Sequence, residues 1–343
     1  MSESHLWLVS IVLLISAIGK SEQATCKRVT GYTVCHEKGT LVDVTQQEFE
    51  DGLDIHDLDL LAIREDAFKN LTTAKLNLGL GNKISVVQKG SFRGLENLVR
   101  LDLDGNVIPL SPNLFSELKQ LRSLSLIFNK INEIPKDSFG GLSNLIWLYL
   151  GHNDVESISS DSFAGLSSSL LFLWLNDNKI ANIESGTFSQ MPELSRLHLE
   201  NNQLTSIESG VFRGLHKLDG LFLEENRLSS VSKSDFKGLI SLRILSLHSN
   251  RITDIEPGAF ADLTQLEDLH LRKNRLSHVD TGVFNGLKSL KKLDLSGNEI
   301  SVVQSGAFGG LPALKLLYLT NNNLTSVDRK DYGLTSLTMV YAT

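Results

Sequence analysis

The sequence predicts an α/β-class solenoid, a curved stack of short turns with a parallel β-sheet on its concave face and irregular or 3-10 segments on its convex face. Three observations carry that prediction. An asparagine returns at a nearly fixed interval, a Leu-x-Leu alternation precedes each asparagine, and a phenylalanine follows at one fixed place in each turn.

The asparagine period comes first. The segment LVRLDLDGNVI, Leu98 to Ile108, returns nine times, ending with LKLLYLTNNNL at Leu314. The marker residues Asn106, Asn129, Asn153, Asn178, Asn202, Asn226, Asn250, Asn274, Asn298 and Asn322 lie 23, 24 and 25 residues apart, and then 24 throughout. Asn82 precedes them by 24, but KLNLGLGNKI has one residue too many before it, so Asn82 is expected to sit out of register and bond less well. A first repeat covers Leu53 to Leu71, with Leu58 in the asparagine position. An amide side chain carries two donor hydrogens and an acceptor, so a column of asparagines can satisfy backbone groups left over where each strand ends.

The leucines come next. In a strand, alternate side chains point to opposite faces, so the two leucines of Leu-x-Leu face inward and the residue between them faces solvent. No single turn can bury its own apolar side, but stacked neighbours bury it continuously. Phe68, Phe92, Phe115, Phe139, Phe163, Phe188, Phe212, Phe236, Phe260, Phe284 and Phe308, continued by Tyr332, form a second inward column and read as core. Glycine before leucine, as at Gly94-Leu95 and Gly214-Leu215, reads as turn chemistry.

The start of the chain is different. Leu6 to Ile18 is an apolar run too short for the ~20 residues of a membrane span and suited to a secretory leader, although the preceding MSESH lacks a basic residue, which leaves a short uncleaved anchor as the other reading. A cut after Gly19, or as late as Ala24, leaves Cys26 and Cys35 near the new terminus. In an oxidising compartment the pair would close a short loop; two separate thiols are the other reading, and too few ligands surround them for zinc. The expected organisation is a signal peptide over 1–19, an N-terminal cap over 20–52, and about twelve repeats over 53–343, the last incomplete. The final LTSLTMVYAT starts a turn with Leu334, Leu337 and Val340 and supplies no cysteine cap, so three readings stand: the sequence continues to a cap beyond this point, the end closes on itself, or the edge associates with another copy or another chain.

The apolar fraction of 41% suffices for a core, and a net charge of −7 argues against a nucleic-acid or anionic-membrane binder. No nucleophile elbow, zinc-protease motif, phosphate loop or dinucleotide fingerprint occurs, so no catalytic residue, cofactor or metal is expected.

The informative positions face outward from the strands. The middle column reads Asp102, Ser125, Tyr149, Trp174, His198, Phe222, Ser246, His270, Asp294 and Tyr318. Trp147 and Phe172 lie in the column before it, and Phe128 lies just past a strand. Because exposed apolar patches mark interaction sites and Trp and Tyr are enriched at binding hot spots, Phe128, Trp147, Tyr149, Phe172, Trp174, His198 and Phe222 are the candidate ligand-binding residues. The alternative is that the rings only brace the sheet. Charge along this face is segregated, with Asp102 and Asp104 at one end, Glu200, Glu224 and Glu225 in the middle, and Arg272, Lys273 and Lys292 at the other. Asn70 and Asn323 each begin an Asn-Leu-Thr sequon, as on a secreted surface.

The repeat resembles that of the extracellular leucine-rich-repeat superfamily in its typical 24-residue class, over nearly all of the mature chain. Members include Toll-type ectodomains, lamprey lymphocyte receptors, insect immune leucine-rich proteins, matrix proteoglycans, the acid-labile subunit and the non-catalytic subunit of a shrimp luciferase. CKRVTGYTVC followed by LVDVTQQEF is similar to the superfamily's cysteine cap, with two cysteines where many relatives have four. The resemblance implies a secreted, non-enzymatic recognition protein with an extracellular protein or glycan ligand. It leaves open a receptor ectodomain or a carrier subunit of an extracellular complex.

Overall fold

The computed structural model describes residues 24–166 and 169–325, together with the backbone of the strand Met339–Tyr341. The N-terminal apolar run, Tyr332, Leu334 and Leu337 lie outside the described residues. Two inward leucines per turn cannot all be buried unless successive turns stack in register, and they do. The three-residue strands from Gly52–Asp54 to Met339–Tyr341 pair side by side into one thirteen-stranded sheet. From Gly52–Asp54 to Leu316–Tyr318 leucine faces leucine at the centre of each strand, as in Leu148 beside Leu124 and Leu173. Both leucines of each alternation, for example Leu197 and Leu199, are fully buried. The phenylalanine column packs behind them, with centroids 6.1–6.5 Å apart from Phe139 to Phe284.

The described residues open on an antiparallel hairpin, Thr25–Val29 with Tyr32–Glu37, that continues into Thr40–Gln46. Cys26 lies opposite Cys35 in that hairpin, and the two are joined by a disulfide. Tyr32, Val34, Leu41 and Val44 from this element close over the first repeat. Parallel pairing then passes from Thr40–Gln46 to Ala62–Ile63 and on to Val86–Val87, so cap and solenoid share one edge sheet.

The convex side holds no helix among the described residues; turns and two-residue strands such as Ser157–Ile158 take the place of the expected 3-10 segments. Turn bonds of the 3-10 type do form, with Gly140 N–H donating to Asp137 O and Leu142 N–H to Phe139 O. Gly141, at φ +88°, lies inside the second of these, at the left-handed position of a type II turn, so no regular 3-10 run forms there. At Gly94 the positive φ coincides with a crowded approach, since an added Cβ would lie 2.1 Å from the Phe68 carbonyl oxygen.

The asparagine column works as expected, with one correction. In a typical turn Asn202 Nδ2 donates to the carbonyls of Leu175 (2.9 Å) and Leu199 (3.1 Å), while its Oδ1 accepts from the Ile180 N–H. Asn82 was expected to fall out of register, yet it is 4% exposed and makes the same set. Its Nδ2 reaches Ile55 O (2.8 Å) and Leu78 O (3.1 Å), and its Oδ1 accepts from Leu60 N–H (3.2 Å). The extra residue is absorbed just upstream, where Leu80 and Gly81 both take positive φ and push Leu80 out into solvent.

Candidate functional site

Parallel strands about 4.8 Å apart bring equivalent outward residues into ring-stacking range. Register pairs Tyr149 with Trp174, Trp174 with His198, and His198 with Phe222. Their rings stack in one run at centroid distances of 4.3, 5.4 and 4.3 Å, with interplanar angles of 9–16°. Alongside, Trp147 stacks on Phe172 at 6.1 Å, and Phe172 on Trp174 at 5.8 Å. Six of the seven predicted residues therefore form one half-buried aromatic surface on four successive strands. Phe128, 58% exposed, stands apart on the rim and stacks on His152 at 4.5 Å; both have left-handed backbone where the chain leaves its strand.

Phe222 ends the run because Ser246 follows it in the column. Gly220 occupies the column held by Trp147, Phe172 and Arg196 in preceding turns, and the Phe222 ring leans over it, 3.0 Å from where a Cβ would stand. The middle column is not uniformly open. Ser246, expected to face solvent, is only 4% exposed, and Ser125 is buried as well; Ser125 Oγ donates to Asp104 Oδ1 at 2.6 Å.

Carboxylates stand two residues beyond the last two strands of the strip, at Glu200 and Glu224. His198 Nδ1 lies 3.0 Å from Glu200 Oε1, which fixes the imidazole within the stack. The remaining oxygens, Glu200 Oε2 and Glu224 Oε2, are buried without a hydrogen-bond partner, an arrangement that asks for a donor. Burial pushes the Glu224 carboxyl above its ordinary range, with the Glu200 charge adding to the effect. Burial likewise raises Asp104 and the Tyr149 phenol. Further along, Glu225, His248, His270, Arg272, Lys292 and Asp294 surround an open basin of about 400 Å³. There burial, helped by the Lys292 charge, holds His270 below the usual imidazole range. The unsatisfied glutamate oxygens and the Phe222–Gly220 contact were missed in the sequence, although the glycine among Trp, Phe and Arg was a signal for the latter.

The two sequons lie away from the strip. Asn70 and Asn323 are both exposed, and Asn323 Nδ2 donates to Glu299 O at 3.4 Å. Among the described residues no helix is long and apolar enough to cross a membrane.

A stack of parallel strands carrying a ring-lined concave face defines a solenoid scaffold that presents side chains rather than a closed pocket. The chain belongs to the leucine-rich-repeat family, whose pattern (Leucine rich repeat) matches residues 72–131, 119–173, 169–228, 221–276, 264–324 and 292–342. It is similar to fibromodulin of Sus scrofa, 37% identical over 110 residues, which are 32% of this chain and 72% of that relative; the Oryctolagus cuniculus protein matches at 34% over the same shares. Among solved structures, a leucine-rich-repeat protein of Leptospira interrogans superposes with TM-score 0.66 at 31% identity, over 79% of this chain and 66% of its own. TLR13, solved in complex with ssRNA13, superposes at 0.63 and 26%, over 84% of this chain and half of its own. An internalin (inlF) of Listeria monocytogenes shares the fold alone, at TM-score 0.55 and 22% identity over 87% of this chain and 90% of its own.

Proposed function

We propose that this chain is a secreted, non-enzymatic recognition protein that binds a protein or glycan ligand across Trp147, Tyr149, Phe172, Trp174, His198 and Phe222, in defence or in the extracellular matrix. The observation that carries the reading is the continuous ring surface left half open on the concave sheet. Flat rings engage sugar faces and peptide side chains at little entropic cost. Beside them, the unpartnered oxygens of Glu200 and Glu224 suit a ligand that brings hydroxyl or amino hydrogens. Phe128 at the rim, the hydrophobic end of the Phe128–His152 stack, would extend the contact. Secretion is supported by the apolar run at Leu6–Ile18 and by the Cys26–Cys35 disulfide, which oxidising compartments maintain. Carbohydrate on Asn70 and Asn323 fits that location and leaves the strip open.

The test is to screen labelled protein against immobilised oligosaccharides and matrix proteins, then titrate each hit while following tryptophan emission. Beyond the N-terminal run, Trp147 and Trp174 are the only tryptophans, so emission reports the strip directly. A ligand that binds with no change in emission, and equally well to Trp147→Ala, would place recognition elsewhere.

A further inference from the structure

The residue that follows each marker asparagine forms a column along one rim of the solenoid. Its backbone N–H donates to the turn before, as Arg227 does to Leu204 O (2.8 Å), Arg251 to Leu228 O (2.9 Å) and Arg275 to Ile252 O (2.9 Å). Side chains in this column can reach one another across adjacent turns. Lys83 meets Asp59 at 3.6 Å, and Lys179 meets Asp154 at 2.8 Å, so acid and base pair on neighbouring rungs. In the central turns the pattern changes. Arg227, Arg251 and Arg275 occupy three consecutive rungs, all exposed, and none has a carboxylate oxygen within 4.0 Å among the described residues.

The opposite edge of the same turns shows that the fold does not impose this. There the residue before each strand alternates in sign: Arg243 pairs with Glu267 at 3.0 Å and Lys291 with Glu267 at 2.7 Å. Like charges on adjacent rungs repel, so the arginine row costs stability that alternation would have returned. It also concentrates positive charge on a chain whose net charge is −7. Guanidinium groups match sulfate and carboxylate geometry, and rungs about 4.8 Å apart set three of them over about 10 Å.

We propose that Arg227, Arg251 and Arg275 form a binding row for a sulfated polysaccharide laid along this rim. Ser229, Thr253 and Ser277 lie exposed two residues beyond each arginine; Thr253 Oγ1 donates to Ser229 O and Ser277 Oγ lies 3.0 Å from His278 Nδ1, and each hydroxyl keeps further hydrogen-bonding capacity for a sugar. Single-stranded nucleic acid is the less suited polyanion, because base stacking along a strand needs rings on successive rungs, and the positions beyond the arginines hold Ser229-Ser230, Thr253-Asp254 and Ser277-His278, a single imidazole. The row is separate from the concave strip and does not depend on it.

The probe is an immobilised heparin oligosaccharide, measured with the full mature chain at about 0.05 M and 0.15 M salt. Binding should survive at the higher salt. The variant Arg227→Ser/Arg251→Ser/Arg275→Ser should bind about tenfold or more weaker, with a shallower salt dependence. A control with the same charge loss at exposed lysines elsewhere, Lys89→Ser/Lys237→Ser/Lys288→Ser, should change affinity by less than about threefold. The Arg→Lys triple should keep part of the binding, and the melting temperature of the serine triple should be equal to the parent's or higher. Equal losses in the two serine triples, no binding by the parent at 0.15 M salt, or displacement of heparin by a thymidine oligonucleotide at lower concentration than by heparin itself would overturn the proposal.

Discussion

The Nδ1 of His198 lies 3.0 Å from Oε1 of Glu200, so the imidazole at the centre of the aromatic run is held from its edge by the carboxylate two residues on. The ring faces are then free to stack on Trp174 and Phe222. The Glu200→Ala variant should lose that restraint and about 1 kcal/mol or less, since both groups are partly solvated. Thermal denaturation checks the size of the loss. A loss of several kcal/mol would mean that Glu200 supports the core and not the strip.

Protonation of Glu224 gives a prediction with a definite sign. Burial raises this carboxyl above the ordinary glutamate value of 4.5, so the folded chain takes up the proton more readily than the unfolded one. Its contribution to stability is therefore full below the unfolded value and lost as pH rises through the folded value. The Glu224→Gln variant should melt higher than the parent at about pH 7, and the advantage should shrink as pH falls, vanishing below about pH 4. Melting curves across that range decide it; a constant advantage would point to packing. His270, held low by burial, has the opposite dependence: its contribution is present above 6.5 and lost as pH falls through the folded value.

The asparagine column predicts equality where the spacing suggested a difference. Asn82→Ala and Asn226→Ala each strip buried backbone groups of the same partners, and each should cost roughly 1–3 kcal/mol per group left unsatisfied. Chemical denaturation of the two variants should give matching losses. A much smaller loss for Asn82→Ala would show that its turn is already loose.

The case of Asn82 shows where the sequence is legible. A period of 24 residues predicts that leucines such as Leu197 and Leu199 are buried, because only stacking in register can hide them, and predicts which residues share the concave face. It also brings Tyr149, Trp174, His198 and Phe222 together, because sheet register follows from the repeat. Spacing says little about how a turn absorbs an insertion, which depends on backbone freedom at Leu80 and Gly81. Nor does it reveal which outward side chains are covered: Ser246 is 4% exposed, and Glu200 Oε2 and Glu224 Oε2 are buried without a hydrogen-bond partner.

Glycosylation is tested by mass. Secreted protein should carry carbohydrate at Asn70 and Asn323, both exposed, and enzymatic removal should lower the mass in two steps. Unmodified peptides at both sites, from protein collected outside a eukaryotic cell, would contradict the surface assignment.

The central claim is that the aromatic surface serves a ligand and does not merely brace the sheet. Trp174 stacks on Tyr149, Phe172 and His198, so removing it also removes contacts worth roughly 0.2–1 kcal/mol each and blurs the test. Trp147 stacks on Phe172 and is the cleaner probe, while Thr320→Ala, on the same face but far along it, is the control that buried Ser246 cannot be. The decisive measurement is the affinity of Trp147→Ala for the ligand recovered from the oligosaccharide and matrix-protein screen, taken together with its melting temperature. An affinity loss of about 2 kcal/mol, some thirtyfold, with melting nearly unchanged, is expected if the rings hold the ligand. Unchanged affinity with a clearly lowered melting temperature would contradict it.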